Sequence, residues 1–100
     1  GEPNRELDGR FVRLPGFVVP LELDERGRLV EFLLAPYVGA CIHVPAPPPT
    51  QIVHVVPAGP VEANMYDAYW IVGRMQVAAS ETSLARTAYA MRGAAVLPYR

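Results

Sequence analysis

Two sets of alternating apolar residues stand near the start of the chain, out of phase by one residue and separated by Pro15-Gly16. The first set is Val12 and Leu14, and the second is Phe17, Val19, Leu21 and Leu23. Alternation with a period of two is typical of a strand with one buried face. A slip of phase is typical of a bulge, since glycine adopts unusual backbone angles and proline donates no ladder hydrogen bond. We therefore predict one long, bent strand over Phe11–Leu23, the kind that lets a small sheet curl and close.

The rest of the chain predicts four further strands and one helix. A charged turn over residues 24–28, with glycine at position 27, leads into a second strand at Leu29–Ala35, which Pro36 ends. Further strands are predicted at 51–56, 69–77 and 94–97, and Gly73 predicts a bend in the second of these. A helix is predicted over 80–92 from an N-cap, a helical apolar spacing and a terminal glycine: Ser80, Leu84, Ala88, Met91 and Gly93.

These elements define the predicted fold class and domain organisation. A chain of 100 residues buries one core of modest size, so we predict a single domain over residues 7–100 behind a flexible N-terminal arm, residues 1–6. Five strands, two of them bent, and one short helix favour a mainly β fold, an OB-like, five-stranded, partly open barrel. A β-sandwich, which would not need the helix, is the alternative.

Charge, cysteine content and hydropathy exclude several classes of function. The formal net charge is −1, which offers no basic face for a phosphate backbone, so we expect no nucleic-acid partner. The single cysteine cannot form an internal disulfide. No apolar run reaches the roughly 18 residues of a membrane span, so we expect no transmembrane segment. The chain begins at Gly1 without a signal-peptide pattern, so we expect any signal peptide to have been removed or to have been absent.

Residues 36–54 concentrate the chemistry of the chain. Four prolines within residues 45–49 impose a stiff, extended loop, and a stiff loop loses little conformational entropy when a partner binds. The segment therefore predicts an interaction face. Its residues are Tyr37, Gly39, Cys41, His43, Pro45, Pro47, Pro48, Pro49 and Gln51. The structural alternative is a cover over one mouth of the barrel, with Cys41 and Ile42 packed inward.

Two chemical hypotheses use the same segment. If the chain is extended there, Cys41 and His43 share one face, and His54 on the following strand would come alongside. One cysteine and two histidines would hold zinc or copper with an open fourth position. Alternatively, His43 would lower the pKa of the Cys41 thiol and generate a nucleophilic thiolate. An orienting residue would then be needed, for which Asn64 and Asp67 are the candidates by type.

Several strings along the chain together carry a family resemblance. They are Leu7-Asp8-Gly9, Val12-Arg13-Leu14-Pro15-Gly16-Phe17, Glu31-Phe32-Leu33-Leu34, Pro36-Tyr37, Gly39-Ala40-Cys41-Ile42-His43-Val44-Pro45, Pro47-Pro48-Pro49 and Gln51-Ile52-Val53. Across nearly the whole chain these strings resemble an uncharacterised family of exported bacterial proteins, domain of unknown function 3299. The resemblance implies a periplasmic protein or a lipoprotein, lipid-anchored in its precursor. For some members it implies a link to an ABC transporter with a role in zinc handling.

The residues and the resemblance combine into one functional expectation with two alternatives. We expect a non-catalytic periplasmic accessory or adaptor domain without a cofactor, associated with a membrane transport system. Its partner would be an ABC transporter or another periplasmic protein, bound through the segment from Cys41 to Gln51. The first alternative is a periplasmic zinc- or copper-binding protein that uses Cys41, His43 and His54, and the second is a thiol enzyme.

Overall fold

The computed structural model describes residues 1–100, and five strands close into one barrel. The strands are β1 (Phe11–Leu23), β2 (Leu29–Ala35), β3 (Val53–Pro57), β4 (Ala68–Glu81) and β5 (Arg86–Pro98). They are ordered β1-β2-β3-β5-β4, and β4 pairs back onto β1. The β3–β5 pair is parallel and the other pairs are antiparallel. This confirms the mainly β, OB-like, five-stranded barrel, but the barrel is closed where a partly open one was predicted.

Strand β1 closes the barrel because it pairs with two neighbours in succession. Its first half pairs with β4 and its second half with β2, and Phe17 belongs to both ladders. At this crossing Gly16 is needed for a close approach. A Cβ atom on it would lie 2.7 Å from the Leu34 Cδ1 atom and 2.9 Å from the Ala35 carbonyl oxygen. The prediction of one long first strand is thus confirmed.

The predicted bulge at Pro15-Gly16 is wrong. The β1–β4 register runs without a shift from Phe11 to Phe17, and the irregularities of the β1–β2 register fall between Pro20 and Glu22 and between Glu22 and Leu23. The two apolar sets are out of phase because they pack on opposite faces of the strand. Val12, Leu14 and Val18 belong to the cluster inside the barrel, whereas Val19 and Leu21 belong to a second cluster on its outer surface.

The predicted helix over 80–92 is also wrong, because these residues form the β4–β5 hairpin. The Thr82 hydroxyl accepts hydrogen bonds from the backbone N–H groups of Leu84 and Ala85 and donates to the Ala85 carbonyl, which builds the turn. Residues from Tyr89 onward then pair with β3. This pairing completes the barrel, and such tertiary pairing outweighs a modest local preference for helix. The β4–β5 register shifts between Val72 and Met75, whereas Gly73 pairs with Val12 of β1 without a shift, so the bend predicted at Gly73 stays a prediction.

The predicted turn between β1 and β2 is confirmed by its hydrogen bonds. The Asp24 carboxylate accepts from the backbone N–H groups of Arg28 and Arg26 and pairs with the Arg28 guanidinium at 2.9 Å. Hydrogen bonding from the Arg28 backbone is the main cause that lowers the pKa of the Asp24 carboxyl below its usual 3.8. Gly27 supplies the positive φ, +78°, that the turn requires.

Twelve buried residues fill the barrel, with Phe32, Val55, Ile71 and Met91 fully enclosed at 0 % exposure. Before β1, the chain makes a 3₁₀ turn at Arg5–Leu7, and the Asn4 N–H donates to the Tyr89 hydroxyl at 2.6 Å. A second 3₁₀ turn, Pro49–Gln51, precedes β3. No helix in the chain has the length and apolar character that crossing a membrane would require.

Candidate functional site

The connection between β2 and β3, residues 36–52, lies against the outside of the barrel; we call it the β2–β3 loop. Ala40 and Ile52 in this loop are both 0 % exposed. They form the second buried cluster together with residues of β1 and β2, namely Val19, Leu33 and Ala35. The partly buried Leu21, Cys41, Leu84 and Ala85 pack against this cluster, so the tip of the β4–β5 hairpin also contributes to it. The loop is therefore anchored to the barrel by apolar burial.

The middle of the loop is a tight turn. The Gly39 carbonyl accepts from three backbone N–H groups, those of Ile42 at 3.2 Å, His43 at 2.8 Å and Val44 at 3.2 Å. Gly39 has a φ of +79°, and Cys41, at +68°, is the one non-glycine residue with positive φ. Residues 39–44 are therefore not extended, and the expectation that Cys41 and His43 share a strand face is wrong.

A second hydrogen bond braces the loop across the turn. The Tyr37 hydroxyl donates to the Pro45 carbonyl at 2.9 Å, which ties the start of the loop to its proline-rich part. Pro47 is buried, and the backbone N–H of Gln51 donates to the Pro48 carbonyl at 2.9 Å. Because prolines fix φ, these contacts leave the loop few alternative conformations.

Four apolar side chains of the loop remain exposed, and we call them the apolar loop patch. They are Tyr37, Val38, Ile42 and Val44, exposed by 38 %, 42 %, 44 % and 43 %. Of these only Tyr37 stood among the predicted interaction residues. No signal in the sequence separates the other three from Ala40 and Ile52, which are apolar residues of the same loop and are buried.

The predicted interaction residues are divided between the two sides of the loop. Gly39 and Pro47 are buried, and Cys41 is partly buried at the second cluster. The exposed members are Tyr37, His43, Pro45, Pro48, Pro49 and Gln51. Ile42, predicted to pack inward under the structural alternative, is exposed, so the cover over the cluster is made by Ala40, Cys41 and Ile52.

The structure does not bring the predicted metal ligands together. The His54 Nε2 atom on β3 lies 2.5 Å from the Glu31 carboxylate on β2, and the side chain is half-buried there. Cys41 and His43 lie in the turn of the β2–β3 loop. No group of three or more histidine, cysteine, aspartate or glutamate side chains is placed to hold a metal ion. Zinc or copper binding by Cys41, His43 and His54 stays a prediction, and this structure does not place the three side chains around one metal site.

The surroundings of Cys41 differ from those of an activated thiol. Burial raises the pKa of the Cys41 thiol above its usual 9.0, so the neutral thiol dominates at pH 7. The candidate orienting residues serve another purpose, since Asn64 donates to the Asp67 carboxylate at 2.8 Å and accepts from the N–H groups of Tyr66 and Asp67. They stabilise the turn before β4.

We expect the Cys41 thiol to react with iodoacetamide more slowly in the folded protein than in urea, because the thiolate is the nucleophile and burial holds the thiol protonated. When the alkylation rate is measured as a function of pH, its rise should occur at a higher pH for the folded protein than for the protein in urea. Folding raises the pKa of the Cys41 thiol. The contribution of this thiol to the free energy of unfolding is therefore fully present below pH 9.0 and is lost as the pH rises through the pKa of the folded state. A folded-state rate that rises near neutral pH would instead indicate an activated thiolate.

A small closed β-barrel with an anchored apolar loop is the class of domain that these features define. The family model described as "Protein of unknown function (DUF3299)" matches residues 2–98. The crystal structure of a DUF3299 family protein from Pseudomonas aeruginosa PAO1 is similar, with a TM-score of 0.90 and 44 % identity over 99 % of this chain and 70 % of that chain. No curated protein matches significantly. The chain belongs to the DUF3299 family, which confirms the family membership that the resemblance indicated. Export and the link to an ABC transporter stay predictions.

Proposed function

We propose that this domain is a non-catalytic interaction domain that binds a protein partner through the β2–β3 loop. The observation that carries the proposal is the apolar loop patch, four exposed apolar side chains within residues 37–44. Contiguous exposed apolar surface is typical of sites where proteins associate. Tyr37 is the candidate anchor, since tyrosine is enriched among the residues that dominate binding energy.

The anchoring of the loop supports this role. A binding segment that is already ordered loses less conformational entropy on association than a flexible one. Here the ordering comes from Ala40 and Ile52 in the second cluster, from the three N–H groups on the Gly39 carbonyl, and from the bond between Tyr37 and Pro45. The patch is thus held in one arrangement before any partner arrives.

The non-catalytic part of the proposal is supported by the surroundings of Cys41. Its thiol pKa is raised by burial, whereas a nucleophilic cysteine needs a lowered pKa. We propose further that the domain acts in the periplasm as an accessory of a membrane transport system. This part rests on the family resemblance, and the loop supplies the surface through which such a partner would be bound. The proposal requires no cofactor.

The proposal predicts that removing the apolar patch abolishes partner binding without unfolding the barrel. In the test variant Tyr37, Val38, Ile42 and Val44 are all replaced by serine. The matched control replaces three apolar residues exposed elsewhere by serine: Leu23, Tyr66 and Leu97. Binding is measured by affinity capture from a periplasmic extract and quantification of each captured protein, and folding by circular dichroism.

We expect the loop variant to capture its specific partner at least about tenfold less than the parent chain, because loss of anchor residues costs that much in affinity. The control should capture as the parent does. The proposal fails if the folded loop variant retains the partners of the parent chain, or if the control loses them equally.

A further inference from the structure

A cleft of ≈700 Å³ opens where the N-terminal residues, the proline-rich part of the loop and the β4–β5 hairpin meet. Pro3 and Arg5 line it from the N-terminal side and Pro49 from the loop. The hairpin contributes Glu81, Arg86 and Thr87. The cleft is therefore built from three separate parts of the chain, and it does not include the apolar loop patch.

Thr87, a residue in the wall of the cleft, has an unpartnered polar atom. The residue is 2 % exposed, and its Oγ1 atom is the one buried side-chain nitrogen or oxygen of the chain that has no hydrogen-bond partner. A buried hydroxyl without a partner destabilises the folded state, so native structures seldom retain one without a reason. The ladder is irregular beside it, between Val77 and Ser80 on the facing strand. Such irregularities are enriched at sheet edges, at the rims of barrels and next to active sites.

Two guanidinium groups line the same cleft and are unpaired. The ion pairs of the chain are Asp24 with Arg28 and Glu31 with His54, so neither Arg5 nor Arg86 takes part in one. Neither side chain donates a hydrogen bond within the protein. Glu81 faces Arg86 across the hairpin in the ladder, and its carboxylate forms no ion pair. The charged side chains of the cleft thus carry one net positive charge.

We propose that this cleft binds a small organic carboxylate. A guanidinium matches a carboxylate through two parallel N–H donors, and Arg86 and Arg5 are the groups available for that pairing. Rotation of the Thr87 side chain about its Cα–Cβ bond turns the buried hydroxyl toward this ligand, where it gains the partner it lacks within the protein. Pro3, Pro49 and Ala79 offer apolar contact to the ligand's carbon chain. Phosphate has no carbon chain to make these apolar contacts, so the cleft favours a carboxylate over phosphate.

The test is a titration of the ¹⁵N-labelled full chain with succinate, followed by amide chemical shifts. Saturable shifts are expected at Ser80, Arg86 and Thr87. The neutral analogue succinamide should give none, and inorganic phosphate should bind more weakly. Arg86→Gln is expected to weaken succinate binding at least about tenfold, the usual effect of losing a charge-assisted pair. Arg92→Gln, at an exposed position on the same strand, should change nothing.

Thr87→Val separates ligand binding from a structural role of the threonine. The variant keeps the side-chain shape but removes the unpartnered hydroxyl, so we expect its melting temperature to rise while its affinity for succinate falls. The proposal is overturned if succinate gives no saturable shifts, if the Arg92→Gln and Arg86→Gln variants lose affinity equally, or if phosphate binds more tightly. The proposal is also overturned if the Thr87→Val variant binds succinate as tightly as the parent chain does.

Discussion

Phe32→Ala is expected to destabilise the barrel by about 3–5 kcal/mol, the cost of deleting a fully buried aromatic ring. Phe32 is 0 % exposed and lies on β2, where it faces Pro20 of β1 and Val55 of β3. Those neighbours belong to two closed ladders and cannot collapse into the space that the ring leaves. For a domain of this size, the melting temperature should fall by more than about 10 °C. Urea unfolding followed by circular dichroism measures the loss.

The control for this prediction is Phe32→Leu, which keeps most of the apolar volume. Exchanging one apolar side chain for another of similar volume usually costs under about 1.5 kcal/mol. A Phe32→Ala variant that loses no more than the leucine variant would contradict the enclosed position of the ring inside the barrel.

Ile52→Ala is expected to lower the free energy of unfolding by about 2–5 kcal/mol and, in addition, to loosen the β2–β3 loop. Ile52 is 0 % exposed in the cluster outside the barrel, where it packs with Leu33 and Ala40. Amide hydrogen exchange at His43 and Val44, which donate to the Gly39 carbonyl, should accelerate more than exchange inside the barrel. The two effects are measured by urea unfolding and by native-state exchange.

Ile52→Val is the matched control and should cost about 0.5–1.5 kcal/mol with little change in loop exchange. If Ile52→Ala left exchange at His43 and Val44 unchanged, the outer cluster would not be what holds the loop. The order of the apolar patch would then have to come from the loop's own hydrogen bonds alone.

The elements whose boundaries depend only on residues nearby in the sequence were predictable from it. Strand β2 was predicted with its observed bounds, because a charged turn precedes it and Pro36 follows it. The turn at 24–28 was predictable for the same reason, since glycine supplies the positive φ that Gly27 adopts. These features are local, and the physics that fixes them lies within a few residues.

The errors arose where distant parts of the chain decide the structure. Residues 80–92 have helical apolar spacing, but Tyr89 and Met91 fill the barrel and β5 pairs with β3. The phase change in β1 resembles the pattern of a bulge, because nothing near Val19 in the sequence reveals that a loop from residues 36–52 covers the outer face of the strand. An apolar residue on an outer face is predictable only when its cover is known.

The sequence predicted which segment forms the candidate site, but it did not predict which side chains of that segment are exposed. Proline content predicted the stiff loop, but the tight turn on the Gly39 carbonyl decides that Ile42 and Val44 are exposed while Ala40 is buried. The cleft had no signal in the sequence. Arg5 and Arg86 stand near opposite ends of the chain, and only barrel closure brings them to one cavity.

The central claim is that the apolar loop patch is the binding face, and crosslinking from within it is the most direct test. A photoreactive amino acid is placed at Ile42, and in a second chain at Leu97, which is similarly exposed on β5. We predict a discrete crosslinked product with one partner protein from position 42 and none with that protein from position 97. A product that forms from position 97 but not from position 42 would contradict the claim.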